Sequence, residues 1–291
     1  MKTLTQEAIL EIAKRTIGTE INGVVIEGVE IVEVNKTDGV KEGLMIKTSN
    51  NICPTLYFNE DLPEEIDELK VFELIEKAIE PVSQKTTLDV DNVIRDKSRW
   101  RLSAVNLERC KDNGYLDDKA YVEVLDLAFI PTVLISDCAS VKLPEKALES
   151  LGVTISEFIK VAIENTQLTI KSMRDIIIPM MFPEGIDEDD PMVEMMLPPD
   201  DGSMNVSIDP LGRFGTTLFV NEELLQKTRE EMGNFYIIPS SVYEVILVKA
   251  DMADAESLRE MIGDVNTNVV SDEDFLSNNA YYYDGKLQIA A

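Results

Sequence analysis

The chain has 291 residues, 44 % of them hydrophobic, enough for a real core and too many for wholesale disorder. Asp and Glu number 55 against 27 Lys and Arg, a net charge of −28, and histidine is absent. Such a charge repels nucleic acid and anionic membranes and attracts basic partners. The missing histidine removes the commonest general base, the commonest metal ligand and every Ser-His or Cys-His pair.

No apolar run reaches the ~18 residues that span a bilayer. Glu7 and Glu11 interrupt the apolar pattern of the first 18 residues, which therefore does not read as a signal peptide. Cys53, Cys110 and Cys138 are odd in number and widely spaced. They are expected as buried free thiols in a reducing compartment, the cytoplasm.

In chain order, Leu4, Ala8, Ile9, Ile12, Ala13 and Ile17 recur with helical spacing and Gly18 follows at a C-cap position. Residues 23–34 read as a half-buried strand with a break near Gly28, followed by a turn-rich connection over 36–43. Short strands follow at 44–48 and 53–58, completing a small antiparallel sheet. Pro63 sits at a helix-start position, with Ile66, Leu69, Phe72, Ile75 and Ile79 on one face and Pro81 ending the helix. A short amphipathic piece at 88–96 leads to a boundary near residue 97.

Residues 100–107 read as a strand. Residues 121–135 form the longest apolar stretch, which Pro131 splits into two strands or bends into one edge strand. Asp126 lies within it, as a satisfied polar group near the sheet end or a site residue. Helices are expected at 144–151 and 154–165, with Thr154 or Ser156 capping the second. Residues 168–182 are ambiguous between helix and strand. Residues 184–201 carry no Lys or Arg, are broken by Pro191, Pro198 and Pro199, and read as an exposed acidic loop or lid. The run Asp187, Glu188, Asp189, Asp190 lacks the alternating ligands and glycine of an EF-hand loop, so it reads as acidic surface with no dedicated metal site.

Strands are expected at 204–208 and 216–220, then a helix capped by Asn221 and closed by Gly233. The stretch Phe235–Val248 follows, two apolar runs around Pro239-Ser240-Ser241, with Glu244 opening the second. Asp254 caps a helix bearing Leu258, Met261, Ile262 and Val265. Asp284-Gly285 marks a final hairpin, and Tyr281, Tyr282 and Tyr283 place two rings on one face of it. The sum is an α+β fold, with mixed or antiparallel sheets and packed helices in two lobes, 1–97 and 98–291.

Ile237 to Val245 resembles the Ile-Leu-Pro-Ser-Ser-Ile-His-Glu-Val pattern of an uncharacterised bacterial family, a domain of unknown function. Asn22-Gly23-Val24, residues 54–57, Asp126-Leu127-Ala128, residues 162–166, Val265-Asn266 and Leu276-Ser277 fit the same family in order. The resemblance covers nearly the whole chain and implies no established activity. It does imply a frequent link to phage or mobile elements. Tyr243 stands where the family pattern has His, so any chemistry resting on that His would be lost here.

Three readings follow. The first is a non-catalytic acidic interaction protein, a mobile-element accessory or inhibitor that binds a basic protein, in its sharpest form a nucleic-acid mimic. The second is a hydrolase or transferase using Ser240 or Ser241 with Glu244 and Asp126, the nucleophile being weakly activated without histidine. The third is a structural or assembly component. No cofactor and no direct nucleic-acid binding is expected, and Ser240, Ser241, Tyr243, Glu244 and Asp126 are the candidate site.

Overall fold

In a computed structural model of the chain, residues 4–50, 52–63, 65–83, 89–137, 139–186, 191–197 and 201–290 are described. The chain divides into two compact units, Met1–Val93 and Ile94–Ala291.

The first unit opens with α1 (Gln6–Ala13), capped by the Thr5 hydroxyl and burying Ile9, Ile12 and Ala13. A four-stranded antiparallel sheet follows in the order β1 (Glu20–Ile21), β2 (Val24–Lys36), β3 (Gly39–Thr48), β4 (Thr55–Tyr57). The break expected at Gly28 is a bulge between Ile26 and Gly28, and β2 runs on through it. Residues 39–43 are not a connection. They pair with β2 down to Lys36↔Gly39, making one long hairpin around Thr37-Asp38.

The second helix, α2 (Glu68–Ser83), starts later than Pro63 suggests. Asp67 is the residue that opens it: its carboxylate accepts from the Lys70 N–H at 2.9 Å and its carbonyl from the Val71 N–H. The buried face is accordingly Val71, Ile75 and Ile79, spaced by four, while Leu69 is exposed and Ile66 is buried ahead of the helix. Pro81 sits inside the last turn rather than ending it. The helix packs its stripe with α1 and the sheet residues Val24, Ile26, Leu44 and Ile46 into one core.

After α3 (Val90–Arg95), the second unit holds two antiparallel sheets among its described residues. The first contains β5 (Trp100–Asn106), β6 (Val122–Val124), β7 (Leu127–Ser136) and β8 (Ala139–Lys142), with α4 (Leu107–Asp112) following β5. Strand β7 is central, against β5 on one side and β6 and β8 on the other. Pro131 does not split it. The Pro131 carbonyl accepts from the Leu143 N–H on the β8 side, and an extended residue aims its N–H and C=O the same way. The missing N–H therefore faces the gap between β6 and β8 and removes no bond to β5. The real break is at Leu125-Asp126, where Leu125 takes a left-handed φ of 58°.

Next come α5 (Glu145–Leu151) and α6 (Ile155–Thr166), the latter with a full capping box between Thr154 and Glu157. Phe158 of α6 stacks on Trp100 at 4.3 Å between ring centres. The ambiguous segment resolves into β9 (Thr169–Ser172) and α7 (Met173–Met181). The acidic segment is not all loop, since it contains α8 (Pro191–Met196) with Val193 buried. Asp187, Glu188, Asp189, Asp190 and Cys138 lie outside the described residues.

The six-stranded sheet has the order β14-β13-β11-β12-β10-β9. Its later strands are β10 (Met204–Ile208), β11 (Phe235–Pro239), β12 (Val245–Lys249), β13 (Tyr281–Tyr283) and β14 (Leu287–Ile289), with α9 (Glu222–Met232) and α10 (Ala255–Asn268) between them. Residues 215–220 are a buried 3-10 helix and not a strand. Ala255, Leu258 and Ile262 of α10 cover Ile238 and Val248 of the sheet, whereas Met261 and Val265 stay exposed.

Of the described cysteines, Cys110 is buried on α4 and Cys53 is exposed between β3 and β4, contrary to the expectation of buried thiols throughout. Burial pushes the Cys110 thiol up to about 11, leaving on the order of a thousandth of it as thiolate at pH 8. Iodoacetamide at that pH is expected to modify Cys53 in the native protein long before Cys110, with both reacting in urea. Peptide mass spectrometry reads the order, and native labelling of Cys110 at the Cys53 rate would contradict this packing.

Candidate functional site

The stretch around Ser240 and Ser241 is built as a turn. Strands β11 and β12 pair down to Pro239↔Val245, and residues 240–244 link them. The Ser241 Oγ accepts the Tyr243 N–H at 3.1 Å, a side-chain-closed turn of the kind serine favours. The Ser241 N–H reaches back to the Glu244 carbonyl at 3.4 Å.

This turn is docked on the 3-10 helix. The Gly215 N–H donates to the Tyr243 carbonyl at 2.6 Å, and the Thr216 hydroxyl donates to the Val242 carbonyl at 3.2 Å. Gly215 has to be glycine, because a Cβ there would meet the Ser207 carbonyl, the Tyr243 carbonyl and the Glu244 Cα. The approach to it is set by Asp209, which is buried. One of its oxygens accepts the N–H groups of Arg213 and Phe214 and the other accepts that of Leu211. The Asp209-Pro210-Leu211-Gly212 run is a turn signature in the sequence that could have located this support.

Ser240, Ser241 and Glu244 are half-buried and Tyr243 is exposed. Partial burial, and after it the neighbouring Asp274 carboxylate, raise the Tyr243 phenol above its ordinary value. No hydrogen bond joins the hydroxyl of Ser240 or Ser241 to a carboxylate or lysine among the described residues. The Glu244 carboxylate likewise makes no ion pair there. The geometry gives Ser241 a backbone partner and gives neither serine a general base.

Asp126 is elsewhere in the second unit's network. It occupies the turn between β6 and β7. Its Oδ2 accepts from the Ser277 hydroxyl at 2.6 Å and the Asn279 amide at 2.9 Å, and its Oδ1 accepts from the Tyr281 hydroxyl at 2.7 Å. Asn106 and Asn266 fasten the same segment by donating to the carbonyls of Leu276 and Ser277. The Tyr281 ring is fully buried, edge-on to Phe219 at 4.8 Å. Burial, and then the Asp126 charge, hold its phenol far above the ordinary range. The structure thus brings Asp126 to Ser277, Asn279 and Tyr281, and no hydrogen bond joins it to Ser240 or Ser241.

Two surface cavities lie away from both features. One, of about 690 Å³, is lined by Leu116, Tyr121, Leu148, Val153 and Ile155, with Lys111, Asp117, Lys119, Glu145 and Glu149 among the charged groups. The other, of about 550 Å³ in the first unit, is lined by Glu20, Glu73, Lys77 and their neighbours. Among the described residues no three Cys, Asp or Glu side chains converge as metal ligands would.

A protein-family model described as "Family of unknown function (DUF5688)" matches residues 10–285. No curated protein and no solved structure matches the chain.

Substitutions separate the two features in urea unfolding. Gly215→Ala is expected to cost about 2–3 kcal/mol, the upper part of the overpacking range, with backbone atoms in the way. Asp126→Asn should lose about 2 kcal/mol, because an amide sets its own donor against three donors. Ser240→Ala should stay within about 0.5 kcal/mol. A Gly215→Ala protein as stable as the parent would show that the turn does not sit on the 3-10 helix.

Proposed function

The chain belongs to this family of unknown function, and we propose that it is a non-catalytic interaction protein whose acidic surface binds a basic protein partner. The observation that carries the reading is how the cations are used. Lys14, Arg15, Lys47, Lys70, Lys111 and Lys119 each pair with an acid of the same chain, and Lys41 is held between Asp38 and Glu60. Acids outnumber cations by 55 to 27, so the excess negative charge is set by composition, and these seven cations are already engaged within the chain.

A field of that sign speeds encounter with basic proteins and disfavours nucleic acid and anionic lipid. In its sharpest form the surface stands in for the phosphates of a nucleic acid, and the partner is a nucleic-acid-binding protein. An accessory or inhibitor of a mobile element is the setting the sequence resemblance suggests, and the cysteine usage favours the cytoplasm. No helix among the described residues is long and apolar enough to cross a membrane. The hydrolase reading gains nothing from a turn in which Ser241 serves as a backbone acceptor, and we read Ser240, Ser241, Tyr243 and Glu244 as structural.

Affinity purification at about 0.05 M salt, where charges are screened over more than 10 Å, is expected to recover a basic protein that is released at about 0.5 M. Duplex DNA should compete with this chain for the purified partner. Binding that is indifferent to salt, or a recovered partner that is acidic, would overturn the reading.

A further inference from the structure

We propose that the 690 Å³ cavity of the second unit receives an arginine side chain of the basic partner, an inference that rests on the reading above and gives it an address. The floor is apolar. Leu116 and Leu148 are buried, and Val153 and Ile155 from the junction of α5 and α6 are half-buried beside them. An occupant must therefore bring an aliphatic stem.

The charges at the mouth then select its end. Both lysines there are already neutralised: Lys111 Nζ lies 2.6 Å from Glu123, and Lys119 Nζ lies 2.6 Å from Asp118 and 2.8 Å from the Tyr115 carbonyl. Asp117, Glu145 and Glu149 make no ion pair or side-chain hydrogen bond with a described residue. Glu145 and Glu149 are also four residues apart on α5, so the two carboxylates share a helix face, a like-charge arrangement that weakens a helix unless a cation sits between them. A planar guanidinium on a three-carbon stem answers floor and rim together, and its fork matches carboxylates better than a lysine ammonium does. The cavity is larger than one side chain, so residues flanking the arginine enter with it.

The probe is the capped tripeptide acetyl-Ala-Arg-Ala-amide, followed through the methyl NMR signals of Leu148, Val153 and Ile155. Saturable shifts at these methyls are expected. They should weaken about fivefold with citrulline in place of arginine, and by a similar factor in a Glu145→Gln/Glu149→Gln variant whose other methyl signals are unmoved. Equal binding of the citrulline peptide, or of one carrying glutamate, would overturn the proposal, as would shifts scattered over the whole acidic surface. The full chain separates this idea from the broader one. If the double variant captures the basic partner with unchanged salt dependence, the cavity is not its address although the interaction stands. If the tripeptide binds as described and the natural chain recovers no basic protein, the cavity assignment stands and the broader reading falls.

Discussion

One carboxylate ties the second unit together. Asp126 sits at a turn of the four-stranded sheet, and its three donors come from a segment 151 to 155 residues later that leads into the six-stranded sheet. Ser277 and Tyr281 are buried and have to find an acceptor once water is excluded, and Asp126 supplies it to both. The Tyr281 ring, fixed by its hydroxyl, meets Phe219 on the 3-10 helix, and Phe219 meets Phe129 of β7. A polar latch thereby sets the position of an aromatic chain joining both sheets. The left-handed Leu125 before it is a backbone cost accepted where the carboxylate must be aimed.

The serine turn obeys a different constraint, close approach of backbone. Gly215 lets the chain after β10 lie against residues 243–244, and the hydroxyls of Ser207, Thr216 and Ser241 then satisfy carbonyls or N–H groups that a tight crossing would otherwise strand. Serine and threonine are there for backbone bookkeeping in a crowded corner. That explains a Pro-Ser-Ser segment without a general base, and it also fits an exposed tyrosine at 243.

Local signals were legible in the sequence and distant ones were not. The Thr154 cap, read with Ser156 as its alternative, the Asn221 and Asp254 caps and the alternating tyrosines of β13 depend on neighbours within four residues, and the structure shows each of them, adding Glu157 as the second half of a capping box. Misreadings arose where tertiary pairing outweighed a local rule. Pro131 is harmless because of a gap between two partner strands, a matter of register that no window of sequence contains. Residues 216–220 have strand composition, yet they coil because Gly215 is locked under the β11–β12 turn. Pro63 looks like a helix start until Asp67 caps the same helix one turn later. At the candidate site, the sequence marked Asp126 as a carboxylate in need of satisfaction, but its donors lie beyond any local pattern.

Among the acids, which include ion-paired ones, the half-buried Asp126 and the buried Asp209, two groups contrast. Asp96, Glu157, Asp201 and Asp254 cap turns or helix starts, and hydrogen bonds from Ser98, Thr154, Ser203 and Ser257 hold them below the usual carboxylate range. These are structural, and an uncharged cap such as serine or asparagine could replace most of them. Residues such as Asp117, Glu145 and Glu149 cap nothing in this way and sit at the mouth of a cavity with an apolar floor. Their mutual repulsion works against the compact state. At that mouth both lysines are already paired with other acids, so the charge of these three carboxylates is not explained by stability, and a basic ligand is the counterpart that would relieve it.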